Sequence, residues 1–190
     1  GRTSVNILDP VNWSLGSSIF ADRKLRLQDF SKAIEDLKAT QFKKFKHNFV
    51  WINCYPKMGF ALDWFSDEQW ANVLHNVSIA ATIAKEGRCK GLMFDSEIYG
   101  DALIWTYMKL RKTFPDRPQD WESYRKIVYK RGKEFIKVIN EKFPGCKLPL
   151  LIGPSFTHYR MAKEQGIEDI YEYNPGSDVD FSGAKEALVS

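Results

Sequence analysis

Two carboxylates and a tyrosine stand at alternate positions after an apolar run near the middle of the chain. The run Gly91–Phe94 is followed by Asp95, Glu97 and Tyr99. Side chains alternate along an extended strand, so these three are expected to point the same way, with the two carboxylates close together. Like charges at that separation resist simultaneous ionisation, so one carboxyl group is expected to keep its proton near neutral pH. A protonated carboxyl group can act as a general acid toward a leaving oxygen.

Further candidate residues follow the other apolar runs. Asn53, which follows the run Phe49–Ile52, is a candidate donor to a sugar hydroxyl. If two carboxylates take part in hydrolysis at a sugar carbon, their separation depends on the stereochemical course. The second lies about 5–5.5 Å from the first when the configuration of that carbon is retained, and about 6.5–9.5 Å from it when the configuration is inverted. Glu172 is the candidate for this second carboxylate. Aromatic rings stack on sugar faces, and the predicted substrate-binding residues are Asn53, Tyr55, Trp64, Tyr99 and Trp105.

Helices and strands must bring these residues together. Apolar residues at helical spacing predict helices over residues 27–45, 67–86 and 120–143. Ser66 and Gln69 form a predicted capping box for the second helix, and Gly87 is its expected left-handed C-terminal residue. Short apolar runs between the helices predict parallel strands buried on both faces. Two later strands are predicted at Leu148–Ile152 and Asp169–Tyr173, and the tryptophans assigned to the core are Trp51, Trp70 and Trp121.

This alternation of helices and strands predicts an α/β fold, for which two architectures are open. The first is a (β/α)8 TIM-barrel-like fold, incomplete in this chain because such barrels take about 250 residues. The second is a doubly wound open parallel sheet. In both, side chains at the carboxyl ends of the strands form the functional site. Residues 1–190 are treated as a single α/β domain, a fragment of a longer barrel under the first alternative.

Composition excludes several classes of protein. The 190 residues are 44% hydrophobic, 27% charged and 14% aromatic, which excludes low-complexity disorder, collagen-like repeats and disulfide-rich miniproteins. No apolar window reaches the roughly 18–20 residues of a membrane-spanning helix. The mild net charge of +4 predicts no nucleic-acid partner. Three widely spaced cysteines without a metal-binding pattern predict neither a metal site nor another cofactor.

The segment KGLMFDSE, Lys90–Glu97, resembles a motif of the chitinase-type family 18 glycoside hydrolases. That motif reads Asp-Gly-apolar-Asp-apolar-Asp-any-Glu along a barrel strand. Lys90 and Met93 replace its first two Asp residues. The positions that match it are Gly91, Leu92, Phe94, Asp95 and Glu97. The resemblance implies that Glu97 is the general acid and that Asp95 orients the substrate group that acts as an internal nucleophile.

More broadly, the order of Trp64, Glu97 and Ser155 is similar to bacterial glycoside-hydrolase-like barrels. These resemblances imply hydrolysis of an oligosaccharide or polysaccharide by carboxylate acid and base catalysis. They fit a secreted or periplasmic location, although the first residues lack a signal-peptide pattern, and they leave the oligomeric state open. A noncatalytic carbohydrate-binding barrel domain is an alternative, favoured by Met93 in place of a carboxylate. A metal-dependent phosphohydrolase with Asp95 as nucleophile is another.

Overall fold

A parallel sheet of three strands lies at the centre of the described chain. The computed structural model describes residues 2–10, 14–54, 60–96 and 107–151, all within one compact unit, residues 1–151. The strands, which lie side by side in chain order, are β1 (Arg2–Val5), β2 (His47–Asn53) and β3 (Gly91–Asp95). The helices are α1 (Ser31–Ala39), α2 (Asp67–Glu86), α3 (Tyr107–Thr113) and α4 (Trp121–Lys142).

The predicted (β/α)8 barrel is wrong. The described residues form one open sheet of three parallel strands together with four helices, and within them β1 pairs with β2 alone. The alternative, a doubly wound open parallel sheet, fits this arrangement in outline. The apolar runs indicated strands that are buried on both faces. The strands of barrels and of open parallel sheets are both buried in this way, so the runs could not distinguish the two folds. Closure depends instead on strand number and stagger, which such runs do not encode.

The predicted strand Leu148–Ile152 is described as far as residue 151. In that part the chain forms two isolated parallel bridges beside β3, which join Gly91 to Lys147 and Phe94 to Leu150. The N–H of Leu151 donates to the carbonyl oxygen of Phe94 at 2.9 Å. Pro149 has no N–H to donate, so it interrupts this ladder. The predicted strand at residues 169–173 lies outside the described residues.

Helix α2 spans the predicted residues, but both of its caps differ in detail. Ser66 Oγ accepts the N–H of Gln69 at 3.2 Å, whereas the Gln69 side chain accepts the N–H of Asp63 at 2.8 Å instead of reaching back to Ser66. The left-handed residue is Arg88, with φ of 60°, and not Gly87, with φ of −72°. Gly87 is needed for space, because a Cβ there would lie 2.6 Å from a leucine side chain of α1.

The other two predicted helices differ in how well they match the structure. Helix α4 begins one residue after Asp120, whose side chain accepts the N–H of Ser123 at 2.8 Å. The helix predicted over residues 27–45 is shorter, since a 3-10 turn at Leu27–Phe30 leads into α1, which ends at Ala39. The lysines at 43, 44 and 46 therefore lie in the connection to β2. Among the described helices, none combines the length and apolar character needed to cross a membrane.

The core lies on one face of the sheet. The fully buried strand residues on this face are Val50, Ile52 and Leu92. Phe94 shares the face, and its ring lies 6.3 Å from Phe20 and 5.8 Å from Phe135 of α4 between centroids. Aromatic contacts at this spacing add to the burial of apolar area. The sheet is therefore joined through Phe94 both to α4 and to the segment that follows β1.

The assignment of three tryptophans to the core is confirmed for Trp70, which is buried, whereas Trp51 is only half-buried. It is wrong for Trp121, which is 61% exposed. Trp121 is the first residue of α4 and packs edge-on against Tyr107, with ring centroids 5.3 Å apart. Its position at the start of the helix leaves most of the indole outside the core.

A buried amide on α2 holds the segment that precedes α1. Asn76 is 0% exposed, and its Oδ1 accepts the N–H of Leu25 at 2.9 Å. Its Nδ2 donates to the carbonyl oxygens of Ser18 at 3.0 Å and Arg23 at 2.8 Å. Buried backbone groups need hydrogen-bond partners. The Asn76 Nδ2 also donates to the carbonyl oxygen of Ile19 at 3.4 Å. One side chain is thus hydrogen-bonded to four backbone groups of the 18–25 segment.

A buried guanidinium joins α4 to the start of α2. Arg131 is 3% exposed, and its Nε donates to the carbonyl oxygen of Trp64 at 3.1 Å. Its two terminal nitrogens donate to Asp67 at 2.6 Å and to Glu134 at 3.0 Å. The guanidinium carbon lies 5.6 Å from the ring centroid of Trp70. The hydrogen bond from Arg131, and then its charge, lower the pKa of Asp67.

Replacing Asn76 with alanine removes the partner of four backbone groups, three of which are in buried hydrogen bonds. We expect Asn76→Ala to lower the free energy of unfolding by about 2–3 kcal/mol, measured by urea denaturation. Asn72→Ala is the matched control, because Asn72 lies one turn earlier on α2 and donates through an exposed amide to the carbonyl oxygen of Asp22. The control is expected to cost less than about 1 kcal/mol. Equal losses in the two variants would contradict the anchoring role of Asn76.

Replacing Arg131 with methionine keeps most of the apolar stem but leaves the Trp64 carbonyl without its donor. We expect Arg131→Met to lower the free energy of unfolding by about 2 kcal/mol and to raise the pKa of Asp67 toward its ordinary value, followed by NMR titration. Arg125→Met, which removes an exposed ion pair with Glu122 on the same helix, is expected to leave stability nearly unchanged. An unchanged Asp67 titration in Arg131→Met would refute the contact.

Candidate functional site

Asp95 and Asn53 meet at the carboxyl edge of the sheet. They are register partners at the ends of β3 and β2 and are 3% and 4% exposed. The N–H of Cys54 donates to the carbonyl oxygen of Asp95 at 3.1 Å, so the ladder continues past the end of β2. The Asn53 Nδ2 donates to Ser17 Oγ at 3.3 Å. The strand pairing therefore brings together the two described polar residues that the sequence assigned to catalysis and substrate binding.

The segment after β1 passes over this edge. Its residue Gly16 lies against Trp51, where a Cβ would approach a ring carbon to 2.8 Å and the carbonyl oxygen to 2.9 Å. Phe20, four residues later, packs on Phe94, and alternation puts Phe94 and Trp51 on opposite faces of the sheet. The segment thus crosses from one face to the other beside Asn53. Ser17, which sequence reasoning missed, joins the site through this crossing.

Two further carboxylates at this edge are neutralised by arginines. Asp63, in the loop before α2, accepts hydrogen bonds from the Arg117 Nε at 2.8 Å and from the N–H of Phe65 at 3.0 Å. Asp9, which follows β1, forms an ion pair with Arg23. Both carboxylates are buried, and burying a charge requires such a partner. These pairs hold loops in place, which is a structural role.

Sequence reasoning missed both arginine partners. Arg117 is 54 residues from Asp63 in the chain, and no local pattern connects them. Asp9 has a detectable signal in principle, since it follows a strand as Asn53 and Asp95 do. That strand, β1, reads RTSV and contains one apolar residue, so the search for apolar runs passed over it.

Trp64, one of the predicted sugar-binding residues, lies in the core. It is 3% exposed and stacks on Trp70, with ring centroids 5.0 Å apart. Stacking on a sugar requires an accessible ring face, and in this structure the ring is enclosed. We therefore leave Trp64 out of the proposed substrate contacts. The remaining predicted residues lie outside the described residues: Tyr55, Glu97, Tyr99, Trp105 and Glu172.

Two described thiols and one phenol are poor nucleophiles. Burial raises the pKa of Cys89 to about 11 and also raises the pKa of Cys146, so both thiols are protonated at neutral pH. Burial, followed by the charge of Asp63, raises the pKa of Tyr124. Within residues 2–10, 14–54, 60–96 and 107–151, no group of three or more His, Cys, Asp or Glu side chains is placed to hold a metal ion. At the described carboxyl edge, the strand pairing places the carboxylate of Asp95 beside Asn53, and Asp95 is the residue there that the sequence assigned to catalysis.

No family model matches the chain, and neither a curated protein nor a solved structure matches it at a significant level. Its function must therefore be argued from its own residues and their geometry.

Proposed function

We propose that the chain is a glycoside hydrolase-like enzyme that acts on an oligosaccharide or polysaccharide, with Glu97 as general acid and Asp95 as its partner. The observation that carries this proposal is the buried carboxylate of Asp95 at the end of β3, beside Asn53. In open parallel sheets, ligands bind outside the carboxyl ends of the strands. Asp95 and Asn53 occupy that position.

Two other described carboxylates at the edge, Asp63 and Asp9, form ion pairs with arginines that hold loops in place, so we assign them a structural role. Asp95 is the last residue of β3 and is followed in sequence by Ser96 and Glu97, so the acidic end of the motif that resembles the glycoside hydrolases follows the carboxyl end of this strand. A buried carboxylate in that place is a functional-site candidate on physical grounds.

Each residue has a distinct proposed role. Glu97 protonates the glycosidic oxygen as the bond breaks. The negative charge of Asp95 stabilises the positive charge that develops at the anomeric carbon. Asn53 is buried and already donates to Ser17 Oγ, so we assign it to support of the edge beside Asp95 and leave it out of the proposed substrate contacts, as we do Trp64. Glu172 is the proposed second carboxylate, acting as base or nucleophile. We give this route preference over an internal nucleophile because Met93 replaces a carboxylate of the family 18 motif.

Replacing Glu97 with glutamine removes the proton but keeps the shape of the side chain. We expect Glu97→Gln to slow hydrolysis of an unactivated oligosaccharide by about 10²–10⁴-fold. A dinitrophenyl glycoside, whose leaving group departs without protonation, should lose far less activity. Glu86→Gln, at the exposed end of α2, is the control and should leave both rates unchanged. Sugar release from a panel of glycans and aryl glycosides measures these effects.

Three outcomes would contradict the proposal. The first is undiminished hydrolysis by Glu97→Gln. The second is binding of a glycan by the unaltered chain without turnover of any substrate in the panel, which is the behaviour of the noncatalytic carbohydrate-binding alternative. The third is phosphatase activity that disappears on chelation, which would identify the metal-dependent alternative.

A further inference from the structure

We propose that the amino-terminal edge of the sheet, opposite the candidate catalytic edge, binds a small organic anion with an apolar body. A cavity of about 520 Å³ opens there, within the range of roughly 300–1,000 Å³ that is usual for small-ligand sites. It combines cationic and apolar side chains. The lining residues are His47, Phe49, Lys90, Lys147, Leu148 and Pro149.

Parallel pairing explains why the basic residues converge. Strand β2 begins at His47, β3 begins directly after Lys90, and Lys147 bridges to the first residue of β3. The backbone is held by hydrogen bonds from the Lys90 N–H to Asn48 at 2.7 Å and from the Lys147 N–H to Lys90 at 3.1 Å. A Cβ at Gly91 would overlap the carbonyl oxygen of Lys147. The cavity therefore has a rigid frame, and glycine at position 91 permits the close approach.

The charge around this cavity has no counterpart among the described residues. Most lysines that form ion pairs do so with a carboxylate one turn away on the same helix, as Lys32 does with Asp36. Within the described ranges, the side chains of His47, Lys90 and Lys147 form neither an ion pair nor a hydrogen bond. Unbalanced positive charge in a concave site attracts anions.

Neighbouring residues on the same edge increase the positive potential. Lys43, Lys44 and Lys46 precede β2, and Arg88 precedes β3, all with exposed side chains. Their acidic neighbour at the end of α2 is Glu86. The lysines at the ends of α2 and α4, Lys85 and Lys142, are explained by the negative partial charge at a helix C-terminus. Lys90 and Lys147 lie outside the helices, so that explanation does not cover them.

The apolar part of the lining selects the kind of anion. Phe49 is buried and forms one wall with the half-buried Leu148 and Pro149. An inorganic ion has no apolar surface that could pack against this wall. An aromatic phosphate would pack its ring against the wall and place its anionic group near the lysines. A nucleic acid would instead use the exposed lysines before β2 and would not need the cavity.

Calorimetric titration of the full chain with 1-naphthyl phosphate tests this proposal, with 1-naphthol and inorganic phosphate as the two half-ligands. We expect 1-naphthyl phosphate to bind more tightly than either and to weaken with rising ionic strength. The double variant Lys90→Gln with Lys147→Gln should weaken its binding at least about tenfold. Lys85→Gln with Lys142→Gln removes the same charge from the same edge and should change affinity less than about twofold.

Several results would overturn the proposal: no binding of 1-naphthyl phosphate, equal affinity for 1-naphthol, or full affinity in the Lys90 and Lys147 variant. Tight binding of a single-stranded oligonucleotide that is lost on replacing Lys43, Lys44 and Lys46 would identify a nucleic-acid surface instead. Thermal unfolding of each variant shows whether it is folded. Asp95, which the proposed hydrolysis also uses, ends β3, whereas the cavity lies where β3 begins. A variant of the proposed acid, Glu97→Gln, should therefore bind 1-naphthyl phosphate normally, so this proposal can fail independently of the proposed hydrolysis.

Discussion

The carboxyl edge of the sheet depends on one buried cation, the guanidinium of Arg131. Removing a cation from water costs free energy unless hydrogen bonds and nearby negative charge replace the solvent. Here the replacement comes from the Trp64 carbonyl, from the carboxylates of Asp67 and Glu134, and from the ring of Trp70. These groups belong to the loop before α2, to α2 and to α4. The three elements therefore share a single arrangement that satisfies the cation.

The parallel sheet collects acidic residues at one edge and basic residues at the other. Asp9 lies after β1 and Asp95 ends β3, and both are buried. His47 begins β2 and Lys90 directly precedes β3. In a parallel sheet all strands end at one edge and begin at the other. Residues of one kind that recur at the strand ends therefore collect at the first edge, and residues that recur at the strand starts collect at the second. A chain with a net charge of only +4 can in this way separate its acidic and basic residues between two edges of one sheet.

Local patterns were sufficient to predict helices α2 and α4, because apolar periodicity and the side chains of Ser66 and Asp120 act within a few residues of each helix end. The barrel was not predictable, since burial of a strand carries no information about sheet closure. The pairing of Asp63 with Arg117 depends on residues far apart in the chain. Of the candidate site, the meeting of Asn53 and Asp95 was foreseeable from strand ends alone, whereas the contribution of Ser17 required the path of the segment after β1.

The burial of Asn76 also bears on how the protein can be made. Asn76, Val77 and Ser78 form the acceptor triplet to which many eukaryotic cells attach N-linked glycans. In a secretory host the glycan would be attached before the helix packs. The modified nitrogen would keep only one N–H and could not donate to the carbonyl oxygens of both Ser18 and Arg23. A bulky sugar has no room at a fully enclosed position. A host without this modification, such as a bacterium, is therefore the appropriate choice for producing folded material.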